Sequence, residues 1–205
     1  GDEDDKPAER LRTSGVSVRI IKPCTGRLVQ HPEMSATVAE MVAQADLVHI
    51  HALWEEIQHQ AARHARKARI PYLIRPCGML DPWSLGQNRW VKRLYMAWRL
   101  RNNLNHARAI HFTSQTESDL TGPLQLRAPA IIEPNGVDLA EFETLPPPGA
   151  FRSRHPQLAN KRILLFLSRL HHKKGLELLL PAFAALERTD TMLVLAGPDS
   201  DGYRA

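Results

Sequence analysis

Arg169 and Lys174 bracket a basic loop, Ser168-Arg169-Leu170-His171-His172-Lys173-Lys174-Gly175, set between an apolar run at 163–167 and an apolar helical stretch that starts at Leu176. A loop joining the carboxyl end of a strand to the amino end of a helix gathers free backbone N–H groups and the positive pole of the helix dipole in one place. The arginine adds a planar fork of donors and the lysine a point charge, a combination that suits a pyrophosphate better than a lone carboxylate. A solvated basic face is the plainer account of the same residues. A second apolar run at 192–196 is followed by Gly197-Pro198-Asp199. The order is then strand, basic loop, helix, strand, glycine turn: one βαβ unit with its loop at the ligand-binding edge.

The elements that must position such residues recur upstream. The opening dozen residues are loose and polar, and residues 16–21 then alternate apolar and polar up to Pro23, which predicts a strand. A helix over 36–45, a strand over 47–51, a helix over 55–68 and a strand over 72–75 follow; farther on come a strand over 109–113, a short helix over 115–120 and a strand over 130–133. This alternation predicts a parallel sheet covered by helices. In between, Val91, Leu94, Tyr95 and Trp98 recur at three- and four-residue spacing within 89–100, an amphipathic helix that is basic on its other side. Core packing is the expected use of that apolar stripe, and docking on a membrane surface is the alternative. Residues 139–160 are irregular, with Pro146-Pro147-Pro148-Gly149 at their centre. The expected division is therefore a first domain over 1–145, a linker over 146–160 and a second domain over 161–205, whose single βαβ unit is too short to bury its own sheet.

Composition narrows the classes. The chain has 205 residues, 43% of them hydrophobic, and a formal net charge of +5. No apolar run is long enough to cross a bilayer, and Gly1-Asp2-Glu3-Asp4-Asp5 is acidic rather than signal-like. A cytoplasmic protein is expected, with contact to the inner face of an anionic membrane as a further expectation. Basic residues gather in 63–69 and 89–108; such stretches can attract nucleic acid or anionic lipid or can simply be solvated, and no nucleic-acid partner is expected. Cys24 and Cys77 offer neither a disulfide framework nor metal-ligand spacing, and no paired carboxylates stand at ligand spacing, so no metal is expected.

Short motifs in a fixed order carry a resemblance: His49-Ile50-His51-Ala52-Leu53-Trp54, Ile70-Pro71-Tyr72, Gly78-Met79-Leu80-Asp81-Pro82-Trp83, His111-Phe112-Thr113-Ser114, Pro134-Asn135-Gly136-Val137-Asp138, the 169–175 loop, and Gly197-Pro198-Asp199 with Tyr203. In these the chain resembles the retaining glycosyltransferases of family 4. The resemblance implies an α/β fold of GT-B type, two Rossmann-like domains, here with the first lacking its opening strand and the second cut short after one βαβ unit. It also implies a hexosyltransferase that moves a sugar from a nucleotide-diphosphate donor to a hydroxyl acceptor with retention, in polysaccharide or glycolipid biosynthesis. The nucleotide sugar is the donor substrate, the acceptor is a sugar or a lipid-linked compound, and neither cofactor nor metal is implied.

By the same resemblance Arg169 and Lys174 would hold the donor diphosphate and offset the charge that grows on it as the sugar departs, with Gly175, Asn135, Gly136 and Gly197 on the donor side. His51 falls at a strand end, where the family places a histidine close to the transferred sugar and where its imidazole could donate to a sugar hydroxyl. Arg75, Gly78 and Ser114 complete the substrate side. Ordinary packing remains the alternative for His51 and the better account of His49, loop surface for His171 and His172, turn chemistry for Gly78 and Gly136, and core or cleft wall for Trp54 and Trp83.

The chain also departs from the family. Relatives commonly carry Ser-Pro-Arg before Gly-Met-Leu, whereas Arg75-Pro76-Cys77 sets the arginine two positions earlier. The opening strand with its glycine-rich loop is not found before Val16, and the two donor-contacting glutamates of the second domain do not occur before Ala205. The expectation is a partial chain that is inactive alone. A non-catalytic nucleotide-binding module, and a peripheral membrane or nucleic-acid interaction protein using 63–69 and 90–100, are the rival readings; a glycosidase lacks its carboxylate pair.

Overall fold

A computed structural model describes residues 6–199 and Gly202. Tyr203, one of the motif residues, lies outside them. The chain divides into two compact units, Gly1–Gly136 and Val137–Ala205, so the irregular stretch with Pro146-Pro147-Pro148-Gly149 clusters with the second.

The first unit opens with a helix, α1 (Lys6–Thr13), where the polar composition predicts no element; it buries Ala8. The strand expected over 16–21 does not form. Val16 and Ile20 stay exposed, Ile21 packs against the core, and no ladder partner is found among the described residues. Alternation supplies a side-chain pattern, but a strand also needs a neighbour to satisfy its N–H and C=O groups. The paired backbone nearby is an isolated bridge, Thr25 to Gln30.

From there the expected order holds: α2 (Met34–Ala43), β1 (Val48–His51), α3 (Glu56–Ala68), β2 (Tyr72–Arg75), α4 (Pro82–Gly86), α5 (Arg89–Tyr95), a π turn (Met96–Leu100), α6 (Arg101–Asn105), β3 (Ala109–Phe112), α7 (Gln115–Thr121) and β4 (Ala130–Ile132). The four strands form one parallel sheet in the order β1-β2-β3-β4, with Val48 opposite Tyr72, His51 opposite Arg75, Leu73 opposite Ala109 and Ile110 opposite Ala130. Helix α3 shows why the layer closes. A Glu55–Gln58 capping box starts it, Arg69 ends it in a left-handed conformation, and its buried Ala62 and Ala65 let it lie close to its neighbours. The core joins Val38, Ile50, Tyr72, Ile74 and Phe112 from α2, β1, β2 and β3, with Leu53 from the loop after β1, to Tyr95, Met96, Leu100 and Leu104. Where Tyr72 meets polar groups, its hydroxyl donates to Asn103 O at 2.7 Å and Arg66 donates to Asn103 Oδ1 at 2.8 Å.

The helix at 89–100 corrects its sequence reading. Of Val91, Leu94, Tyr95 and Trp98, Tyr95 is buried and the other three face solvent; the buried stripe is Tyr95, Met96, Leu100 and Leu104. The π turn inserts a wider loop of backbone and keeps Met96, Leu100 and Leu104 on the core side.

The second unit holds α8 (Ala150–Arg154), β5 (Arg162–Leu167), α9 (Leu176–Ala184) and β6 (Thr191–Ala196). β5 and β6 pair in parallel from Arg162–Thr191 to Leu167–Ala196. This is the βαβ unit read from the sequence.

Candidate functional site

In the first unit the site residues converge on the carboxyl ends of the strands. His49 and His51 lie two apart on β1 and so point to one face of the sheet, and Arg75 stands beside His51. His111 sits one residue past the Ile74–Ile110 pair, at the level of Arg75. His111 Nε2 lies 2.9 Å from the Glu133 carbonyl and His111 Nδ1 lies 3.1 Å from His49 Nε2. A carbonyl only accepts, so His111 carries its proton on Nε2, leaving Nδ1 to accept from the His49 Nε2–H. The His51 ring centroid is 4.4 Å from that of His49. Burial, then His51, His111 and Arg75, lowers the His49 pKa from the ordinary histidine value. Burial, then Arg75 and His111, does the same to His51. A neutral His51 can both donate to and accept from a hydroxyl, which a doubly protonated ring cannot.

The loops after these strands are held in unusual backbone conformations. Ala52 has φ 67, Cys77 φ 54 and Gly78 φ 72, a left-handed run that side-chain-bearing residues adopt at a cost. Ala52 N–H donates to Arg75 O at 3.0 Å, locking the β1 loop to β2. Glu117, in the first turn of α7, accepts from Gly78 N–H at 2.7 Å, from Thr113 N–H at 2.8 Å and from Thr113 Oγ1 at 3.0 Å. Burial would raise its pKa, but the Thr113 and Gly78 N–H groups and nearby Arg75 outweigh it and hold the carboxyl below the usual range. Ser114 is the α7 N-cap, its hydroxyl accepting from Glu117 N–H at 3.2 Å. Arg75 donates through Nη2 to Asn135 Oδ1, while its buried Nε has no hydrogen-bond partner among the described residues. Asn135 and Gly136 are exposed. A cavity of ≈ 340 Å³ borders β1, lined by His49, His51 and apolar residues that include Val42, Ile50 and Ile57.

In the second unit the basic loop runs from β5 to α9. Ser168 N–H donates to Ala196 O at 3.0 Å and Leu170 N–H to Pro198 O at 2.9 Å, so the β6 exit loop braces the first half of the basic loop. His171 Nδ1 accepts from Lys173 N–H at 3.0 Å and starts a 3₁₀ turn, His172–Lys174. Gly175, at φ 69, turns the chain into α9. Arg169 and Lys174 are exposed. Gly197 has φ 151, and a Cβ there would overlap the Ser168 carbonyl, so glycine is required by the contact between the two strand exits. Among the described residues no group of three or more His, Cys, Asp or Glu side chains converges to hold a metal ion, and no helix is long and apolar enough to cross a membrane.

His51, Arg75 and Asn135 therefore form one cluster, and Gly78 and Ser114 meet through Glu117. Arg169, Lys174, Gly175 and Gly197 surround one loop pair of the second unit. Sequence reasoning missed Glu117 and quoted His111 within a motif without giving it a place in the site. The Ser114-x-x-Glu117 spacing is a capping-box signal that could have flagged Glu117, whereas the His111–His49 bond depends on a register between strands that the sequence does not state.

Comparison with known proteins bears on the family and the fold. The sequence model of one family, the Glycosyl transferase 4-like domain, matches residues 1–136. None of the curated proteins matches at a significant level. Among solved structures, HepE of Anabaena, in complex with UDP and glucose, is 21% identical over 96% of this chain and 52% of its own, with a TM-score of 0.70. Sucrose-phosphate synthase from Thermosynechococcus elongatus is 18% identical over 86% of this chain and 46% of its own, at 0.52, and MnaA of S. aureus, solved with UDP, is 12% identical over 100% and 55%, also at 0.52. The shared feature is the α/β fold of GT-B type. The chain spans about half the length of these structures.

Proposed function

The chain belongs to the glycosyl transferase 4-like family, and from that premise we propose that its protein transfers a sugar from a nucleotide-diphosphate donor to a hydroxyl acceptor with retention at the anomeric carbon. The observation that carries the reading is the Arg169–Gly175 loop between β5 and α9. Arg169 and Lys174 supply cations, and the first turn of α9 supplies N–H groups and its dipole, where the diphosphate gains charge as the bond to the sugar breaks. Such compensation lets the leaving group depart without a divalent metal. That HepE was solved with UDP-glucose favours a uridine nucleotide as the donor.

On the first unit, neutral His51 hydrogen-bonds a hydroxyl of the transferred sugar, while Arg75, Gly78 and Ser114 belong to the substrate side. The acceptor oxygen forms the new bond to the sugar as the bond between the sugar and the diphosphate oxygen breaks, and the acceptor's proton goes to the departing diphosphate. A sugar or lipid-linked acceptor at the inner face of a membrane, in polysaccharide or glycolipid synthesis, is the setting that fits the resemblance.

Calorimetric titration with UDP and ADP tests the donor half. The wild-type chain binds a nucleoside diphosphate, and Lys174→Ala weakens it on the order of tenfold or more, because a charge-assisted contact to phosphate is lost. If neither protein binds any nucleotide, the donor reading fails.

A further inference from the structure

Trp90 (69% exposed), Val91 (58%), Leu94 (72%) and Trp98 (69%) stand on one side of α5 and the π turn. Trp90, Leu94 and Trp98 recur every four residues and so form a single stripe. Arg89 and Arg93, also four apart, form the stripe beside it, with their guanidinium carbons 4.7 and 5.4 Å from the Trp90 ring centroid; that of Arg99 is 4.4 Å from Trp98's. Two indoles and a leucine in one exposed stripe mark an interaction surface, and the arginines flanking it favour a bilayer interface, where indoles settle at headgroup depth and cations meet lipid phosphates. Next to this ridge a groove of ≈ 530 Å³ is lined by Arg89, Arg93 and Arg101 together with apolar Leu85, Met96 and Leu124, and no Asp or Glu is among the described residues lining it. Cations and apolar walls in one groove match a phosphate and the apolar chain attached to it.

We propose that this ridge docks on an anionic lipid bilayer, the tryptophan–leucine stripe entering the headgroup layer and the adjoining basic groove taking a lipid phosphate. Its purpose rests on the reading of a lipid-linked acceptor. Helix α4, which lines the groove through Pro82 and Leu85, follows directly on the Gly78 loop that Glu117 holds, so docking brings the bilayer next to the proposed acceptor residues.

The test mixes the whole 205-residue chain with vesicles of phosphatidylcholine alone or with phosphatidylglycerol, and reads partition by co-sedimentation and by the shift of tryptophan emission. Binding is expected on the anionic vesicles, with emission moving to the blue, and is expected to weaken as salt rises. Trp90→Ala/Leu94→Ala/Trp98→Ala lowers the partition coefficient on the order of a hundredfold, and Arg89→Gln/Arg93→Gln on the order of tenfold. These side chains are exposed, so far-UV circular dichroism and nucleotide titration stay unchanged. Docking is overturned if anionic vesicles do not bind, if the triple variant binds as the wild type does, or if the stripe instead closes a dimer or binds duplex nucleic acid without binding vesicles. Vesicle binding without any nucleotide binding keeps the docking surface and removes the donor reading; nucleotide binding without vesicle binding does the reverse.

Discussion

Glu117 accomplishes more with one carboxylate than any residue the sequence singled out. It satisfies two backbone N–H groups and a hydroxyl, and so ties the start of α7 to the left-handed turn at Gly78. Glu117→Ala leaves those donors unpaired in a half-buried place and costs about 2 to 3 kcal/mol, measurable as a drop in the urea midpoint. Its acid dependence has a definite sign. The folded carboxyl titrates below its unfolded value, so the stabilisation is complete above the unfolded value and disappears as pH falls through the folded one. Glu117→Gln should therefore flatten the acid limb of the stability profile while retaining part of the hydrogen bonding. The histidines carry the opposite charge rule. His49 and His51 have lowered values, so the fold favours their neutral rings; that preference is complete above the unfolded histidine value and is lost as pH falls below it toward the folded values. Ring titration followed by NMR should place both midpoints below those of the urea-unfolded chain, and Arg75→Ala should move His51 back upward. An unmoved His51 midpoint would contradict the assigned role of the Arg75 charge.

At the scale of elements, legibility follows from what each element needs. Strands β1 to β6 were readable because each is a short segment carrying two or more apolar residues and bounded by turn residues, and each finds a parallel neighbour. The run at 16–21 has the same alternation without a neighbour, and pairing cannot be read from one segment. The helix at 89–100 was readable as a helix but not by its buried side. Periodicity identifies a stripe, while the π turn and the packing of Tyr95, Met96 and Leu100 decide which stripe goes inward. Of the candidate site, the strand-end place of His51 was legible from its motif, while Arg75 stood out as a departure from the family's pattern; the Glu117 bridge and the His111–His49 pair were not legible, since both join residues distant in sequence. Gly197 marks a place where an element junction tolerates one residue type. Gly197→Ala drives a methyl into the Ser168 carbonyl and forces a positive φ on a side-chain-bearing residue, so we expect a loss of about 3 kcal/mol or more, read as disrupted β5–β6 protection in hydrogen exchange with the first unit unaffected.

The whole molecule is uneven in how much of itself it buries. The first unit closes its core around Tyr72, Phe112, Leu53, Ile74, Leu80 and Leu104, all fully buried. The second buries Leu158 and Leu176 but leaves Leu164, Leu165, Leu167, Leu178, Leu180 and Leu195 open to water, and among its described residues β5 and β6 are the strands that carry them. Two strands and two short helices rarely hold together unaided, because the apolar area removed from water does not offset the entropy of ordering the chain. Residues 1–136 and 137–205 expressed separately should therefore behave differently. The first should unfold in one cooperative transition with denaturant; the second should show a broad, shallow one and bind a fluorescent apolar dye in its native buffer. If 137–205 alone unfolds as sharply as 1–136, its exposed leucines are not the weakness they are read to be. The same asymmetry bears on nucleotide binding: the Arg169–Gly175 loop is supported by the less stable unit, so a diphosphate that binds there should raise the thermal stability of the 137–205 transition in the intact chain and leave the 1–136 transition where it was.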